Sequence, residues 1–290
     1  MKVKPRDYLG KQTPQERSLM NRKIAVDWIY RFGFSSAQVL RQCLNKKSTS
    51  WTSVAVKRGW LRSTRTSTGV PAVIYTLTEM GLELAHHHAT KLLPYVELDP
   101  YRVSPPKIRH DLLVQEHSIA ALREGAITKV TTERELNEGD QRGQKRADAV
   151  WHLPDGTRLG IEMELSAKYG QKLDEFICGV ASSVDPEREI NRLDGFCIIT
   201  DSEAICERYR QAMKPGEPMR RWKKNARQHW VIDEEDVVPD WLQSKVDFRV
   251  IKPSCSQPHA PTSTSRHSSG NQSAREPIDQ QTGSEHFVDR

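Results

Sequence analysis

The sequence has no long hydrophobic run and no cysteine pair of the C-x-x-C kind. A bilayer-spanning helix needs about 18 or more consecutive apolar residues, so we do not expect the chain to cross a membrane. Its N-terminus, MKVKPRDYLGKQ, carries positive charge without an apolar stretch behind it, which argues against a signal peptide. Five cysteines, an odd number, do not suggest a disulfide framework or a zinc cluster. We therefore expect a cytoplasmic protein with reduced thiols.

Acidic residues are scarce in the first part of the chain. Residues 1–70 contain fifteen Lys or Arg and three Asp or Glu, a surplus of twelve positive charges, although the whole chain carries only +6. The remainder is therefore mildly acidic. A basic region attracts polyanions by releasing their counterions and by long-range steering. This asymmetry favours a nucleic acid as the partner of the N-terminal region, and a merely solvated basic face is the alternative.

Residues 13–91 read as three helices, a basic hairpin and a fourth helix. Thr13 and Glu16 have the spacing of a capping box, which predicts where the first helix begins. Two further helices are predicted between 35 and 58, and two short strands and another helix follow. This order of elements resembles the winged helix-turn-helix domains of bacterial regulators and mobilisation proteins. The resemblance implies a domain that docks on duplex DNA.

The side chains expected to contact DNA lie in and around the predicted third helix and the hairpin. Basic residues there would bind phosphates and fix the position of the protein. Hydroxyl groups at the start of the third helix would reach base edges. The predicted phosphate contacts are Arg41, Lys46, Lys47, Lys57, Arg58, Arg62 and Arg65, and the predicted base contacts are Ser50, Thr52 and Ser53.

A Pro-rich polar stretch, 92–106, is predicted to link this domain to a second one at 107–252. The second domain shows the order αβββαβαβ, which indicates a mixed sheet flanked by helices, an α/β fold. Beyond it, residues 253–290 are rich in Ser, Thr, Gln and Pro and poor in apolar residues. This composition predicts a disordered tail.

Acidic residues alternate with apolar ones on a predicted hairpin within 146–168. Successive side chains of a strand point to opposite faces, so Glu162 and Glu164 share one face, with Asp148 across the hairpin. Crowded carboxylates repel one another unless a cation neutralises them. Oxygen ligands of this kind suit Mg²⁺ or Mn²⁺, which can activate water against a phosphodiester. We therefore predict Asp148 and Glu162 as metal ligands, the alternative being a hairpin with solvent-exposed carboxylates.

This hairpin resembles the motif of the PD-(D/E)xK, or restriction-endonuclease-like, nuclease superfamily. Asp148 matches the first acid of the motif and Glu162 matches the second. Glu164 stands where the family usually has Lys, which leaves open whether Glu164 or Lys168 takes that role. The resemblance thus implies the catalytic set Asp148, Glu162, Glu164 and Lys168. Further candidate groups for the same site are Glu116, His117 and Glu135.

The domain order, with HDLLVQEHS opening the second domain and IEMELSAK closing the acidic motif, resembles MobC-type plasmid mobilisation relaxases and the wider replication-relaxation group. The resemblance implies a site- and strand-specific endonuclease that nicks plasmid DNA at a transfer origin. Its partners would be relaxosome accessory proteins and a coupling protein. Two alternatives stay open: a non-catalytic winged-helix regulator or replication accessory, and a restriction-type double-strand endonuclease. Hydrolysis and a covalent intermediate are both compatible with the motif.

Overall fold

The computed structural model describes residues 13–137, 144–188 and 192–251. The predicted disordered tail, 253–290, lies outside the described residues. No helix within the described ranges combines the length and the apolar character needed to cross a membrane. The architecture is mixed α/β, with a five-stranded mixed sheet as its largest element.

Four helices and a small three-stranded sheet make up the N-terminal region, 13–91. Thr13 caps the first helix as predicted: its Oγ1 accepts a hydrogen bond from the Glu16 N–H at 3.2 Å, and Glu16 Oε2 accepts one from the Thr13 N–H at 2.7 Å. Gly33 ends that helix with a φ of 90°, a conformation that favours glycine. The elements are α1 (Pro14–Phe32), β1 (Ser35–Ser36), α2 (Ala37–Cys43), α3 (Ser50–Lys57), β2 (Leu61–Arg65), β3 (Val73–Leu77) and α4 (Glu79–His86).

The larger sheet belongs to the C-terminal region and has the strand order β10-β7-β6-β5-β4. Strands β6, β7 and β10 run parallel to one another, while β4, β5 and β6 form an antiparallel meander. The elements of this region are α5 (Ile108–Arg123), β4 (Lys129–Thr132), β5 (Ala149–His152), β6 (Arg158–Glu164), α6 (Gln171–Val184), β7 (Gly195–Thr200), α7 (Glu203–Ala212), β8 (Pro218–Lys224), β9 (Trp230–Val237), α8 (Asp240–Gln243) and β10 (Val246–Val250).

The predicted order αβββαβαβ lacks three elements of this region, β8, α8 and β10, and the bounds of β4 and α6 are displaced. Strand β4, predicted from the sequence over 129–136, ends at Thr132, and a short 3-10 turn follows. Helix α6, predicted from 167 onward, begins at Gln171, because Gly170 precedes it with a φ of 50°. Strand β8 was not predicted, since basic residues interrupt its apolar ones and only Met219 in it is buried. It pairs with β9 through cross-strand ion pairs such as Arg220–Glu235 at 2.8 Å.

Both faces of the five-stranded sheet are covered. On one face, Trp151, Ile161 and Met163 are buried in a core to which α5 contributes. On the opposite face, Val150 and Ile198 are buried in a core to which α6 and α7 contribute. Strand β6 therefore has no solvent-exposed face, and any charged side chain on it must find partners inside the protein.

The N-terminal region is held against the C-terminal region by polar contacts as well as apolar ones. The side chain of Gln115 in α5 is fully buried. Its Oε1 accepts hydrogen bonds from Trp28 Nε1 at 3.0 Å and Ser35 Oγ at 2.8 Å, and its Nε2 donates to the Phe34 carbonyl at 3.0 Å. A buried network in which the amide oxygen and nitrogen are both engaged fixes the relative position of the groups it joins. The stretch 92–106 between the regions forms short 3-10 turns.

Candidate active site

The β5–β6 hairpin brings the predicted acidic residues together. Ala149 pairs with Ile161, which sets Asp148 opposite Glu162. The Asp148 N–H donates to the Ile161 carbonyl at 2.9 Å, and its Oδ2 accepts from the Met163 N–H at 2.8 Å. The backbone of one strand thus holds the Asp148 carboxylate in place on the other.

Glu162 and Glu164 lie on the same face of β6, as strand alternation predicts. Each is only 4% exposed, because α6 and α7 cover this face of the sheet. The alternative of a hairpin with solvent-exposed carboxylates is therefore wrong. Ionised carboxylates with so little access to water are costly unless cations or hydrogen-bond donors stand beside them.

Two lysines supply positive charge to these glutamates. Lys145 Nζ lies 2.8 Å from Glu162 Oε2. Lys168 Nζ contacts Glu164 Oε1 and lies 4.0 Å from Glu162 Oε1. The Lys168 ammonium also sits over the ring of Phe176, 4.7 Å from its centroid, which adds a cation–π attraction. The Lys168 ammonium is thereby placed between the two acids.

The charges of this cluster shift one another's protonation equilibria. Burial raises the pKa of Glu162, and the nearby Asp148 carboxylate raises it further, while Lys145 and Lys168 oppose the shift. Burial lowers the pKa of Lys168, against the attraction of the acids. An acid with a raised pKa beside a lysine with a lowered one is a typical arrangement of groups that exchange protons or bind ions.

A histidine that was not predicted for the site reaches the cluster. His110, in the first turn of α5, places Nε2 3.1 Å from Asp148 Oδ2 and Nδ1 2.8 Å from Asp111 Oδ1. Burial lowers the pKa of His110, but the hydrogen bonds to Asp111 and Asp148 outweigh it and raise that pKa to about 10. The ring is therefore a cation at neutral pH, and it contacts the same Asp148 oxygen, Oδ2, that accepts from the Met163 N–H.

The three further candidates are placed elsewhere. Glu135 pairs with Arg31 at 3.0 Å and accepts the Thr132 N–H at 2.7 Å, so it joins the two regions of the molecule. Among the described residues, neither Glu116 nor His117 forms an ion pair or hydrogen bond with the acidic cluster. Burial raises the pKa of Glu116, and burial together with Arg249 lowers that of His117. The histidine at the cluster is thus His110, seven residues before the one predicted.

The donor atoms of the cluster suit a hard cation only in part. Within the described ranges, no three or more His, Cys, Asp or Glu side chains surround one point at which a metal could bind. Glu162 Oε2 and Glu164 Oε1 are, however, buried without a well-directed hydrogen bond, and the ammonium groups of Lys145 and Lys168 stand beside them. Mg²⁺ commonly binds one or two protein carboxylates and completes its shell with water and phosphate oxygens. A two-carboxylate site of this kind is compatible with Asp148 and Glu162.

A cleft leads to Asp148 from the side of the N-terminal region. A cavity of about 40 Å³ is lined by Asp148, Asp111 and Arg31. It shares Phe32, Asp111 and other lining residues with a larger cavity of about 560 Å³, which extends along 93–107. Asp148, the first acid of the predicted motif, is therefore accessible from a groove between the two regions.

The residues predicted to bind DNA mostly lie at the surface of the N-terminal region. Lys47, Ser50, Ser53, Lys57, Arg58, Arg62 and Arg65 are exposed, and Arg41 and Lys46 are half-buried. Arg62 also donates a hydrogen bond to the Leu98 carbonyl at 2.8 Å. Thr52 is the exception: it is 3% exposed and its hydroxyl donates to the Thr49 carbonyl at 2.8 Å. The prediction that Thr52 reaches base edges is therefore wrong, because the side chain faces the core.

Comparison with protein-family models, with curated proteins and with solved structures finds no match for this chain. Its function therefore has to be inferred from the arrangement of its own residues.

Proposed function

We propose that this chain is a metal-dependent DNA endonuclease that nicks plasmid DNA during mobilisation, in the cytoplasm. The observation that carries the proposal is the cluster in which the buried Glu162 and Glu164 meet two lysines and Asp148, and Asp148 lines a cleft. Phosphodiester chemistry needs acids that hold a cation and cations that face a phosphate, and both are present here.

The N-terminal region supports the DNA-binding half of the proposal. Its order of helices and strands is that of a winged helix-turn-helix domain, with α3 as the recognition helix and β2–β3 as the wing. The exposed Ser50 and Ser53 lie on one face of α3, and exposed basic side chains flank them. This arrangement suits a helix in the major groove with phosphate contacts on either side.

Within the proposed PD-(D/E)xK-like site, each residue has a distinct role. Asp148 and Glu162 would hold Mg²⁺ or Mn²⁺, which when bound lowers the pKa of a water ligand and stabilises charge on the phosphate. Lys168 takes the place of the family lysine, because its ammonium lies beside both glutamates. Glu164 positions that ammonium, and Lys145 adds a second positive charge near the reacting phosphate.

A non-catalytic DNA-binding regulator or replication accessory is the second candidate. It is favoured by the lysines that already neutralise the glutamates, and by the lack of a three-ligand group among the described residues. In this alternative the charged cluster is structural, and DNA is bound but not cut.

Nicking of supercoiled plasmid distinguishes these candidates. The purified protein is incubated with origin-bearing plasmid in Mg²⁺, in Mn²⁺ or in EDTA, next to Asp148→Ala and Glu162→Ala variants. Asp155→Ala is the matched control, since Asp155 lies in the exposed turn of the same hairpin. Open circles that need metal and both acids support the nuclease, whereas linear product indicates a restriction-type enzyme.

Binding without cutting, with relaxosome accessory proteins and a coupling protein also present, would instead establish the regulator. Protease treatment before electrophoresis adds a further distinction for any nicked product. A protein-linked 5′ or 3′ end indicates a covalent intermediate, and free ends indicate hydrolysis.

A further inference from the structure

A second groove lies far from the acidic cluster in the chain, between α1 and α3. Its volume is about 470 Å³. The first half of α1 forms one wall, and α3 with Lys46 before it and Trp60 after it forms the other. Four cationic side chains and two indole rings line it: Arg17, Arg22, Lys46, Arg58, Trp51 and Trp60.

The cations of this groove have few partners within the protein. Among the described residues, none of Arg17, Lys46 and Arg58 forms an ion pair with an acidic side chain. Arg22 lies over the Trp60 ring, 5.2 Å from its centroid. Four positive charges around one concave surface repel one another and create a potential that attracts a polyanion.

The aromatic side chains indicate which polyanion fits. Trp51 and Trp60 are half-buried, and Val54 between them along the wall is 50% exposed. A groove that joins phosphate-binding cations to aromatic faces is typical of proteins that bind single-stranded nucleic acid. Bases within a duplex stack on each other and offer no free face, so an indole surface of this kind recognises unpaired bases.

Helix α3 presents this groove separately from its predicted duplex-binding face. Trp51, Val54 and Arg58 follow the spacing i, i+3, i+7 and line the groove. Ser50, Ser53 and Lys57 have the same spacing one position earlier, and all three are exposed. Positions one residue apart on a helix point about 100° away from each other, so the two sets face different directions.

We propose that the α1–α3 groove binds a single-stranded nucleic-acid segment, with a base against Trp51 and phosphates on Arg17, Lys46 and Arg58. This assigns Lys46 and Arg58 to the groove in place of the duplex phosphate contacts predicted from the sequence, and the site is distinct from the duplex contact at Ser53 and Lys57. Binding at this groove does not require catalysis by the acidic cluster, so the proposal can be tested independently of the proposed nuclease activity.

Fluorescence anisotropy of the full chain in EDTA tests this proposal. The probes are a labelled oligothymidylate of about 12 nucleotides, an oligouridylate of the same length and a duplex of equal length. Trp51→Ala is expected to weaken single-strand binding about 5- to 100-fold, the range found when one base–aromatic stack is removed. Trp51→Phe should retain most of the affinity, and Lys57→Gln, on the other face of α3, should weaken duplex binding more than single-strand binding.

The exposed double variant Arg17→Gln/Arg58→Gln keeps the test valid if Trp51→Ala destabilises the fold. It should weaken single-strand binding and flatten its salt dependence. Unchanged single-strand affinity in this variant, or equal losses for single strands and duplex, would overturn the proposal. The ratio of oligothymidylate to oligouridylate affinity reports whether DNA or RNA is preferred. A stacking site would also be refuted if inorganic phosphate displaced the labelled oligonucleotide as effectively as unlabelled oligonucleotide does.

Discussion

Replacing Lys145 with methionine should destabilise the protein, and the loss should grow with pH. The change removes the ammonium 2.8 Å from the buried Glu162 carboxylate and keeps an unbranched apolar chain of similar length. Only Lys168, at 4.0 Å from the other oxygen, then remains beside that carboxylate among the described cations. Glu162 must ionise with less support or keep a proton.

The magnitude follows from the raised pKa of Glu162. Breaking a buried ion pair by removing one partner costs about 3–5 kcal/mol. We expect a loss of about 2–3 kcal/mol at about pH 9, where Glu162 of the unmutated protein is ionised, because Lys168 and proton uptake offset part of the cost. A carboxyl with a raised pKa holds a proton in the folded state that it releases on unfolding. The free energy of unfolding therefore falls as the pH rises above 4.5, the ordinary pKa of a glutamate carboxyl. The fall is at most about 1.4 kcal/mol per pH unit, and it ends when the carboxyl of the folded protein ionises.

The variant raises the pKa of Glu162 further, so this fall continues to higher pH than in the unmutated protein. Urea unfolding followed by circular dichroism, in EDTA between about pH 5 and about pH 9, measures the difference. Lys145→Arg keeps the charge at this position. Lys223→Met removes an exposed partner of Asp233, so it should change stability far less than Lys145→Met does. The reasoning is refuted if Lys145→Met lowers the free energy of unfolding by the same amount at every pH measured. It is also refuted if Lys145→Met lowers that free energy no more than Lys223→Met does.

Three further outcomes follow from the packing and the hydrogen bonds. Gln115→Leu leaves indole and hydroxyl donors of the N-terminal region unpaired in the interior, and should lower the free energy of unfolding by about 3 kcal/mol. In NMR titration, the His110 ring should stay protonated above neutral pH, and Asp148→Asn should lower its pKa, because that variant removes a negative hydrogen-bond partner. Gly81→Ala should cost about 3 kcal/mol in urea unfolding, since its Cβ would meet the Trp60 carbonyl oxygen at 2.1 Å.

Local sequence signals predicted the start of the first helix and the acidic hairpin well. The capping box at Thr13 and Glu16 and the turn at 154–156 each act over a few residues, so their spacing alone specifies the structure. The alternation on β6 likewise predicted that Glu162 and Glu164 share a face. The burial of both carboxylates depends on α6 and α7, which pack over that face, and no local sequence pattern predicts this packing.

Two members of the cluster were missed for the same reason. Lys145 precedes Asp148 by three residues outside any regular element, so no periodicity points it toward Glu162. Its backbone N–H donates to the Gly179 carbonyl in α6 at 2.8 Å, a contact far away in sequence. His110 and the predicted His117 both belong to α5, and only the docking of that helix decides which of them reaches Asp148.

Helix α5 connects the surface proposed to hold DNA with the acid proposed to hold metal. Gln115, in its middle, binds the side chains and backbone of the N-terminal region, and His110, in its first turn, binds Asp148. Five residues of helix separate them, a rise of about 7.5 Å along the axis. Both contacts are buried or half-buried and lie within one continuous helix, which leaves no flexible connection between them. DNA held by α3 would therefore meet Asp148 at a fixed offset, so strand cleavage by this protein should occur at a set distance from the sequence it binds.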